Sequence, residues 1–191
     1  SSDLCVRSKL KKFYWPIPYD KVIDKYWNVV DRMKKVVVIN GNHNPRGGKN
    51  ELYSKRIEVM NELSKHKFVD LYGKGWDKFW SKESRCLNYW LNIIMISSIY
   101  KGSCISKFDT FSKYSYCLCF ENMKMSGYIT EKIFDCFYSG VIPIYYGAPD
   151  VTNYIPKDAF IDYREFEDDI DMHHYLSSLS SDRKSTRLNS S

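Results

Sequence analysis

The chain has 191 residues, of which 43% are hydrophobic, 16% aromatic and 27% charged; 29 Lys and Arg against 23 Asp and Glu leave a formal net charge of +6. That length holds one ordinary domain, or one and a half, but hardly two, and this much apolar and aromatic material excludes disorder as a global description. The positive charge points to anionic partners, whether phosphates, nucleic acid or a membrane surface, without choosing among them.

Six cysteines, at positions 5, 86, 104, 117, 119 and 136, are too few for a disulfide scaffold and lack the paired C-x-x-C of a structural zinc site. The most apolar stretch, Leu87 to Tyr100, contains Asn88, Asn92, Ser97 and Ser98 and is shorter than the roughly 20 residues of a membrane helix. At the N-terminus Arg7, Lys9, Lys11 and Lys12 lead into aromatic and proline residues, not the apolar run of a signal peptide. The expectation is a soluble chain without its own anchor.

Residues 1–35 carry no sustained period, and Trp15 to Tyr19 (WPIPY) reads as an extended connector, because each proline disfavours helix at the residue before it. They are expected to form a linker and the edge of a preceding domain. Val36 to Ile39 is a β-branched apolar run ending at Asn40-Gly41, as in a strand buried on both faces. After a polar loop (NGNHNPRGGKN), the apolar positions Leu52, Ile57, Val59, Met60 and Leu63 predict an amphipathic helix over Glu51–Leu63, and Phe68 to Gly73 reads as the next strand. Within the Trp- and Ser-rich stretch 74–113, one helix is predicted around Leu87–Tyr100.

The pattern then repeats. Tyr116 to Phe120 is an apolar strand on which Cys117 and Cys119 share a face as two buried thiols. Thr130 to Tyr138 is a helix stopped by Ser139-Gly140, and Val141 to Gly147 is a further strand in which Pro143 argues for an edge position or a bulge. Two βαβ units imply an α/β fold, a doubly wound and largely parallel sheet with helices on both faces. Such sheets bind ligands beyond the carboxyl ends of their strands, where both polar loops lie. Residues 180–191 have no apolar period and read as a disordered or extraneous tail, whose sequon at Asn189 is as readily chance as a glycosylation acceptor.

Gly47-Gly48-Lys49 between strand and helix invites a phosphate-loop reading. It fails because His43 stands where the first glycine belongs and Asn50 where the magnesium-binding Ser or Thr belongs. A glycine-rich turn feeding a helix N-terminus can still receive an anion. No G-x-G-x-x-G occurs. In the second loop, Ser126-Gly127 gives a turn and Tyr128 to Lys132 opens a helix, which sets Glu131 and Lys132 in its first turn. A lysine beside the positive end of a helix dipole needs an anion next to it, which makes Lys132 a candidate for a diphosphate, while Glu131 offers two acceptor oxygens to a sugar diol. On the residues alone, this reading and an ordinary capped helix start with a solvated lysine stand even.

The stretch from Ser112 to Phe166, with KYSYCLCFEN, GYITEKIFDCF, GVIPIYYGAPD and YIPKDAFIDYREF, resembles the C-terminal domain of the α-1,3-fucosyltransferases, family 10 of the glycosyltransferases. The resemblance extends upstream through VVVINGNHNPRGG to VDLYG and covers roughly residues 13–180. It implies a GT-B enzyme of two Rossmann-like halves, with GDP-fucose held mainly by the C-terminal half. The family's donor-binding Asn, Tyr, Glu and Lys fall on Asn122, Tyr128, Glu131 and Lys132, and its diphosphate-binding arginine falls on Arg56, with Arg46 and Lys49 close by as substitutes. Arg56 and Lys132 would then stabilise the charge growing on the GDP leaving group, Glu131 would accept from ribose or fucose hydroxyls, and Tyr128 and Asn122 would orient the phosphates.

The resemblance implies no metal or other cofactor, in keeping with the absence of a D-x-D loop; Asp168, Asp169 and Asp171 read as a solvated helix face. Inverting transfer needs a general base. In the family that carboxylate comes from the N-terminal, acceptor-binding half, and no residue here is assignable to it. The expected organisation is therefore a linker and domain edge over 1–35, a donor domain over 36–179 and a tail over 180–191, a fragment that binds GDP-fucose but is inactive alone. The glycan acceptor would be met through the other domain. Family members are Golgi membrane proteins in eukaryotes and peripheral or cytoplasmic in bacteria. The competing reading, a non-catalytic nucleotide or nucleic-acid module, is weaker because no basic-aromatic stripe appears. The histidines, His43, His66, His173 and His174, show no metal spacing and read as surface residues, with His43 alone near the donor edge.

Overall fold

The computed structural model describes residues 21–42, 48, 50–77 and 86–188, giving the backbone alone for 86–91, 93 and 180–188. The strands β1 (Met33–Ile39), β2 (Val69–Tyr72), β3 (Tyr114–Phe120), β4 (Ile142–Tyr146) and β5 (Ile161–Asp162) form one parallel sheet in the order β2-β1-β3-β4-β5. Helices α1 (Asp24–Trp27), α2 (Tyr53–Lys65), α3 (Cys86–Ile99), α4 (Lys107–Phe111), α5 (Glu131–Ser139) and α6 (Asp169–Leu188) complete the fold.

The valine run of β1 explains the layering. Val36 and Val38 point into a core built with Val59, Met60 and Leu63 of α2, Met95 and Ile99 of α3, and Met172 and Leu176 of α6. Val37, on the opposite face, packs with Cys117 and Cys119 of β3, Ile133 and Cys136 of α5, and Phe111 of α4. A strand with both faces covered has no use for polar alternation, so an unbroken apolar run is what the position selects. Cys117, Cys119 and Cys136 are buried free thiols, and burial pushes Cys119 and Cys136 above the ordinary thiol range.

Several boundaries differ from the sequence expectation. β1 begins at Met33, inside the expected linker, because Met33 N–H donates to Lys113 O at 2.7 Å and the strand pairs there with β3. Residues 21–32 are also bound to the domain. The Arg32 guanidinium donates to Tyr26 O at 2.6 Å, Ser139 O at 2.8 Å and Tyr114 O at 3.2 Å, and Trp27 Nε1 donates to Phe137 O at 2.6 Å. Helix α2 starts at Tyr53, not at Glu51. The Glu51 carboxylate stands outside the helix and accepts from Tyr53 N–H (2.7 Å) and Ser54 N–H (3.0 Å), satisfying donors that the first turn leaves open.

Pro143 lies on a strand with neighbours on both sides, against the edge expectation. β5, however, pairs only with Ile144 and Tyr145, so at Pro143 itself β4 faces β3 alone and the missing N–H costs no ladder bond on the other side. Helix α6 runs on to Leu188, past the boundary at 179 read from the sequence; once its packed first turns are formed, each further residue gains a hydrogen bond that roughly offsets the entropy of fixing it.

The acidic run that opens α6 is a solvated face at Asp168 and Asp171 but not at Asp169. Asp168 caps the helix through Ile170 N–H (2.9 Å) and Asp171 N–H (2.8 Å), and buried Asp169 accepts from Tyr163 OH and pairs with Lys55. His173, expected at the surface, is half-buried. It stacks on His66 with ring centroids 4.0 Å apart, and burial draws its pKa down. WPIPY, His43, Arg46 and Lys49 lie outside the described residues. Among the described residues no helix is long and apolar enough to cross a membrane.

Gly140 ends α5 with φ of 64°, and a Cβ there would lie 3.0 Å from Arg32 Nη2 and 3.2 Å from Trp27 Cδ2. Gly140→Ala is therefore expected to lower stability by about 1–2 kcal/mol, since the left-handed conformation penalises a side chain. Urea unfolding monitored by tryptophan fluorescence measures it; an unchanged midpoint would contradict the capping role.

Candidate donor-binding site

The strand order changes direction between β1 and β3, for the chain winds from β1 to β2 on one side and from β3 through β4 to β5 on the other. At such a switch point the loops leaving neighbouring strands diverge and open a crevice at their carboxyl ends. A cleft of about 340 Å³ occupies that place, lined by Ile39 at the end of β1, Asn40 and Gly41 after it, Tyr53 and Arg56 of α2, Lys107 and Phe111 of α4, Asn122 after β3, and Glu131 and Lys132 of α5. The two loops are stitched together across it: Leu52 N–H donates to Asn122 O at 3.0 Å and Lys124 N–H to Asn50 O at 2.7 Å. The first turns of α2 and α5 both border the cleft, and each is met by a carboxylate of the chain, Glu51 on Tyr53 and Ser54 N–H and Glu121 on Thr130 N–H.

Arg56 is not the solvated helix residue that its polar neighbours would allow. Only 4% of it is exposed, and its Nη2 donates to Phe120 O at 2.7 Å and Glu121 O at 3.2 Å. It closes off the carboxyl end of β3, where the ladder no longer supplies donors, and its plane lies over the Tyr53 ring at 5.3 Å. Burial draws its pKa down, but a guanidinium stays charged in proteins. Lys107 lines the same cleft and pairs with Asp135 of α5. Burial disfavours its charge, and the hydrogen bond and field of that carboxylate outweigh burial, so its pKa is raised.

Lys132 has the anion that its position demands, and the protein itself supplies it. Glu121, the residue after β3, is fully buried. Its Oε1 accepts from Thr130 N–H at 2.8 Å, and its Oε2 accepts from Thr130 Oγ1 at 2.8 Å and from Lys132 Nζ at 2.8 Å. Lys132 Nζ also donates to Thr130 Oγ1 at 3.0 Å. Thr130 is the N-cap of α5 but makes no capping bond of its own, so a carboxylate from the neighbouring strand end stands at the positive pole of the helix instead. The inference that an empty lysine at this helix start calls for a diphosphate thus loses its premise: the ammonium is already paired.

Of the five residues singled out in the sequence, Arg56, Asn122, Glu131 and Lys132 line one cleft. Tyr128 does not; it stands half-buried on the loop before α5, with its N–H on Met125 O at 3.1 Å. Sequence reasoning missed Lys107, Tyr53 and Glu121. The signal for Glu121 was present, since strand alternation sets it in phase with Cys117 and Cys119, on the face that α5 covers, where a carboxylate must find donors. Lys107 gave none, because α4 reaches the cleft only through the packing of the chain. Among the described residues, no three His, Cys, Asp or Glu gather as a metal site.

A family model described as glycosyltransferase family 10 (fucosyltransferase), C-terminal, matches residues 29–187. The chain is 40% identical over 74 residues to the alpha-(1,3)-fucosyltransferase FucT of Helicobacter pylori, covering 37% of this chain and 16% of that protein. It is 26% identical over 160 residues to the 4-galactosyl-N-acetylglucosaminide 3-alpha-L-fucosyltransferase 9 of Mus musculus, over 83% of this chain and 36% of that protein. A crystal structure of α1,3-fucosyltransferase with GDP-fucose shares the fold, with a TM-score of 0.53 at 23% identity over 76% of this chain and 34% of that one. The chain therefore spans little more than a third of the length of these relatives at most.

Two substitutions test how the cleft is held. Arg56→Met strands the carbonyls of Phe120 and Glu121 and is expected to cost about 1–3 kcal/mol in urea unfolding. A Cβ at Gly147 would lie 2.5 Å from Glu121 Cγ and 2.6 Å from the Tyr145 hydroxyl. Gly147→Ala is thus expected to lose about 1–3 kcal/mol by overpacking. A thermal unfolding midpoint equal to that of the unsubstituted chain in either case would show that the strand end tolerates what the geometry forbids.

Proposed function

Since the chain belongs to glycosyltransferase family 10, the fucosyltransferases, we propose that it is the GDP-fucose-binding half of an enzyme transferring fucose with inversion to a glycan acceptor, in α-1,3 linkage. The observation that carries this reading is the convergence of Arg56, Asn122, Glu131 and Lys132 on one cleft at the β1/β3 switch point. In it, Arg56 and Lys132 face the diphosphate and take up the charge that develops as the bond to fucose breaks. Asn122 and, from the loop before α5, Tyr128 orient the phosphates, and Glu131 accepts from ribose or fucose hydroxyls.

The described cations of the cleft, Arg56, Lys107 and Lys132, stand beside three carboxylates, Glu121, Asp135 and Glu131. Recognition then rests on the directed side-chain donors of Arg56, Lys132 and Asn122 more than on a surplus of charge. With those donors in place, the reading calls on no metal. Glu121 and Asp135 are each committed to a lysine, so neither is free to act as general base, and the reading assigns that base to an acceptor-binding domain. The chain alone is then a binder of GDP-fucose and not a catalyst. In a eukaryotic cell the reading places the enzyme at the Golgi membrane, and in a bacterium at the membrane periphery or in the cytoplasm.

Thermal shift and calorimetry with GDP, GDP-fucose, ATP and an RNA oligomer test this. Stabilisation by GDP and GDP-fucose alone is expected, growing with ligand concentration as linkage requires. Lys132→Met is expected to weaken GDP about tenfold or more, the worth of a charge-assisted hydrogen bond. It also strands the buried Glu121, so affinity is measured at a temperature where circular dichroism shows the variant folded. An equal response to ATP or RNA would count against the proposal.

A further inference from the structure

We infer that Glu121 is a positioning residue, which through Lys132 presets the ammonium that meets the diphosphate; this rests on the donor-binding reading above. Glu121 is not among the residues lining the cleft, whereas Lys132 is. With none of its surface in water, the carboxylate touches the ligand space only through what it holds. Its backbone and stem are themselves held on several sides. Its backbone N–H donates to Tyr146 O at 2.8 Å, its backbone O accepts from Arg56 at 3.2 Å, and Gly147 packs where any side chain would strike its Cγ.

The geometry dictates what the lysine can do. An ammonium has three protons. One is directed to Glu121 Oε2 and one to Thr130 Oγ1, which in turn gives its own proton to the same Oε2. Two fixed N–H directions leave the third no freedom to swing, and it is the one left for a ligand oxygen. A lysine on a flexible four-carbon stem ordinarily loses rotamer entropy when it grips a phosphate. Here that loss is met on folding, so binding need not repeat it. The carboxylate also cancels the lysine's charge while the cleft is empty, which is why counting charges and reading geometry give opposite forecasts for its removal. By charge alone, a neutral residue at 121 would leave the cleft more positive and tighten GDP. By positioning, it would loosen GDP.

The test uses Glu121→Gln, Lys132→Met and the pair together, titrated by calorimetry with GDP and with guanosine, which lacks the phosphates. Lysine-selective ¹⁵N NMR of the ligand-free chain follows the Lys132 ammonium, assigned by its absence in Lys132→Met. Three results are expected: Glu121→Gln weakens GDP about 10- to 100-fold and leaves guanosine unchanged; it causes no further loss once Lys132 is Met; and the held ammonium signal disappears in Glu121→Gln. If Glu121→Gln proves too unstable, Thr130→Val removes one of the two ammonium anchors and keeps the carboxylate, with a smaller loss confined to GDP. Unchanged or tighter GDP binding by Glu121→Gln overturns the inference. So does an equal loss for guanosine, or the same loss on the Lys132→Met background, either of which marks a purely structural role. A native chain that binds no GDP overturns the donor reading instead; the ammonium signal then decides alone whether Glu121 holds Lys132, and its persistence in Glu121→Gln refutes the link.

Discussion

An ionised carboxylate with no surface in water must be met by donors on every side, and Glu121 imposes that requirement on the whole carboxyl edge of the sheet. The desolvation of a buried charge costs several kcal/mol unless hydrogen bonds and a counter-charge replace the water. The replacements come from one short segment, Thr130 and Lys132, so the end of β3 dictates where α5 begins and how it is aimed. Gly147, at the end of β4, is small because the carboxylate stem occupies its side-chain space. Three elements are thus held in register by one side chain. The lysine that faces the cleft is a by-product of keeping that side chain dissolved in protein.

The other buried charges follow the same logic with different partners. Arg56 reaches from α2 to the last carbonyls of β3, where the parallel ladder ends without donors. Arg32, only partly buried, does the corresponding work at the opposite edge, joining Tyr26, Ser139 and Tyr114 through their carbonyls. In β2, Asp70 takes the Tyr114 hydroxyl at 2.9 Å with Lys35 and Lys101 nearby, and burial first, then these hydrogen bonds, push the Tyr114 phenol upward. In each case the buried charge ties an element to its neighbour in space, not in sequence. The cleft inherits walls that are cross-linked by these bonds, which is what a site needs if its donors are to be preset.

A cleft whose described cations are balanced by carboxylates also behaves differently from a basic patch. A basic patch attracts polyanions of any shape and loses them to salt. Paired ions in a crevice instead present donors in fixed directions, and the donor reading proposed above relies on those directions more than on a long-range field. The excess charge of the chain therefore says less about the cleft than the position of Lys132 relative to Glu121 does.

Much was legible from local order. The valine run of β1 and the Y-C-L-C-F run of β3 gave a parallel sheet because a strand covered on both faces is apolar throughout, and Gly140 marked the end of α5 because only glycine settles readily at that φ. The positions of Arg56, Asn122, Glu131 and Lys132 came from a composite motif, and the chain sets all four on one cleft. What the sequence could not decide was partnership. Whether Lys132 waits for a ligand or already holds Glu121, whether Arg56 is solvated or buried under β3, whether Asp169 faces water or Tyr163, and whether α4 brings Lys107 to the cleft all depend on residues far apart in the chain. The sequence by itself determined which segments are strand and helix, since propensity and period act over a few residues. Only the tertiary structure decided which charges meet, because desolvation and ion pairing are set by distance in space.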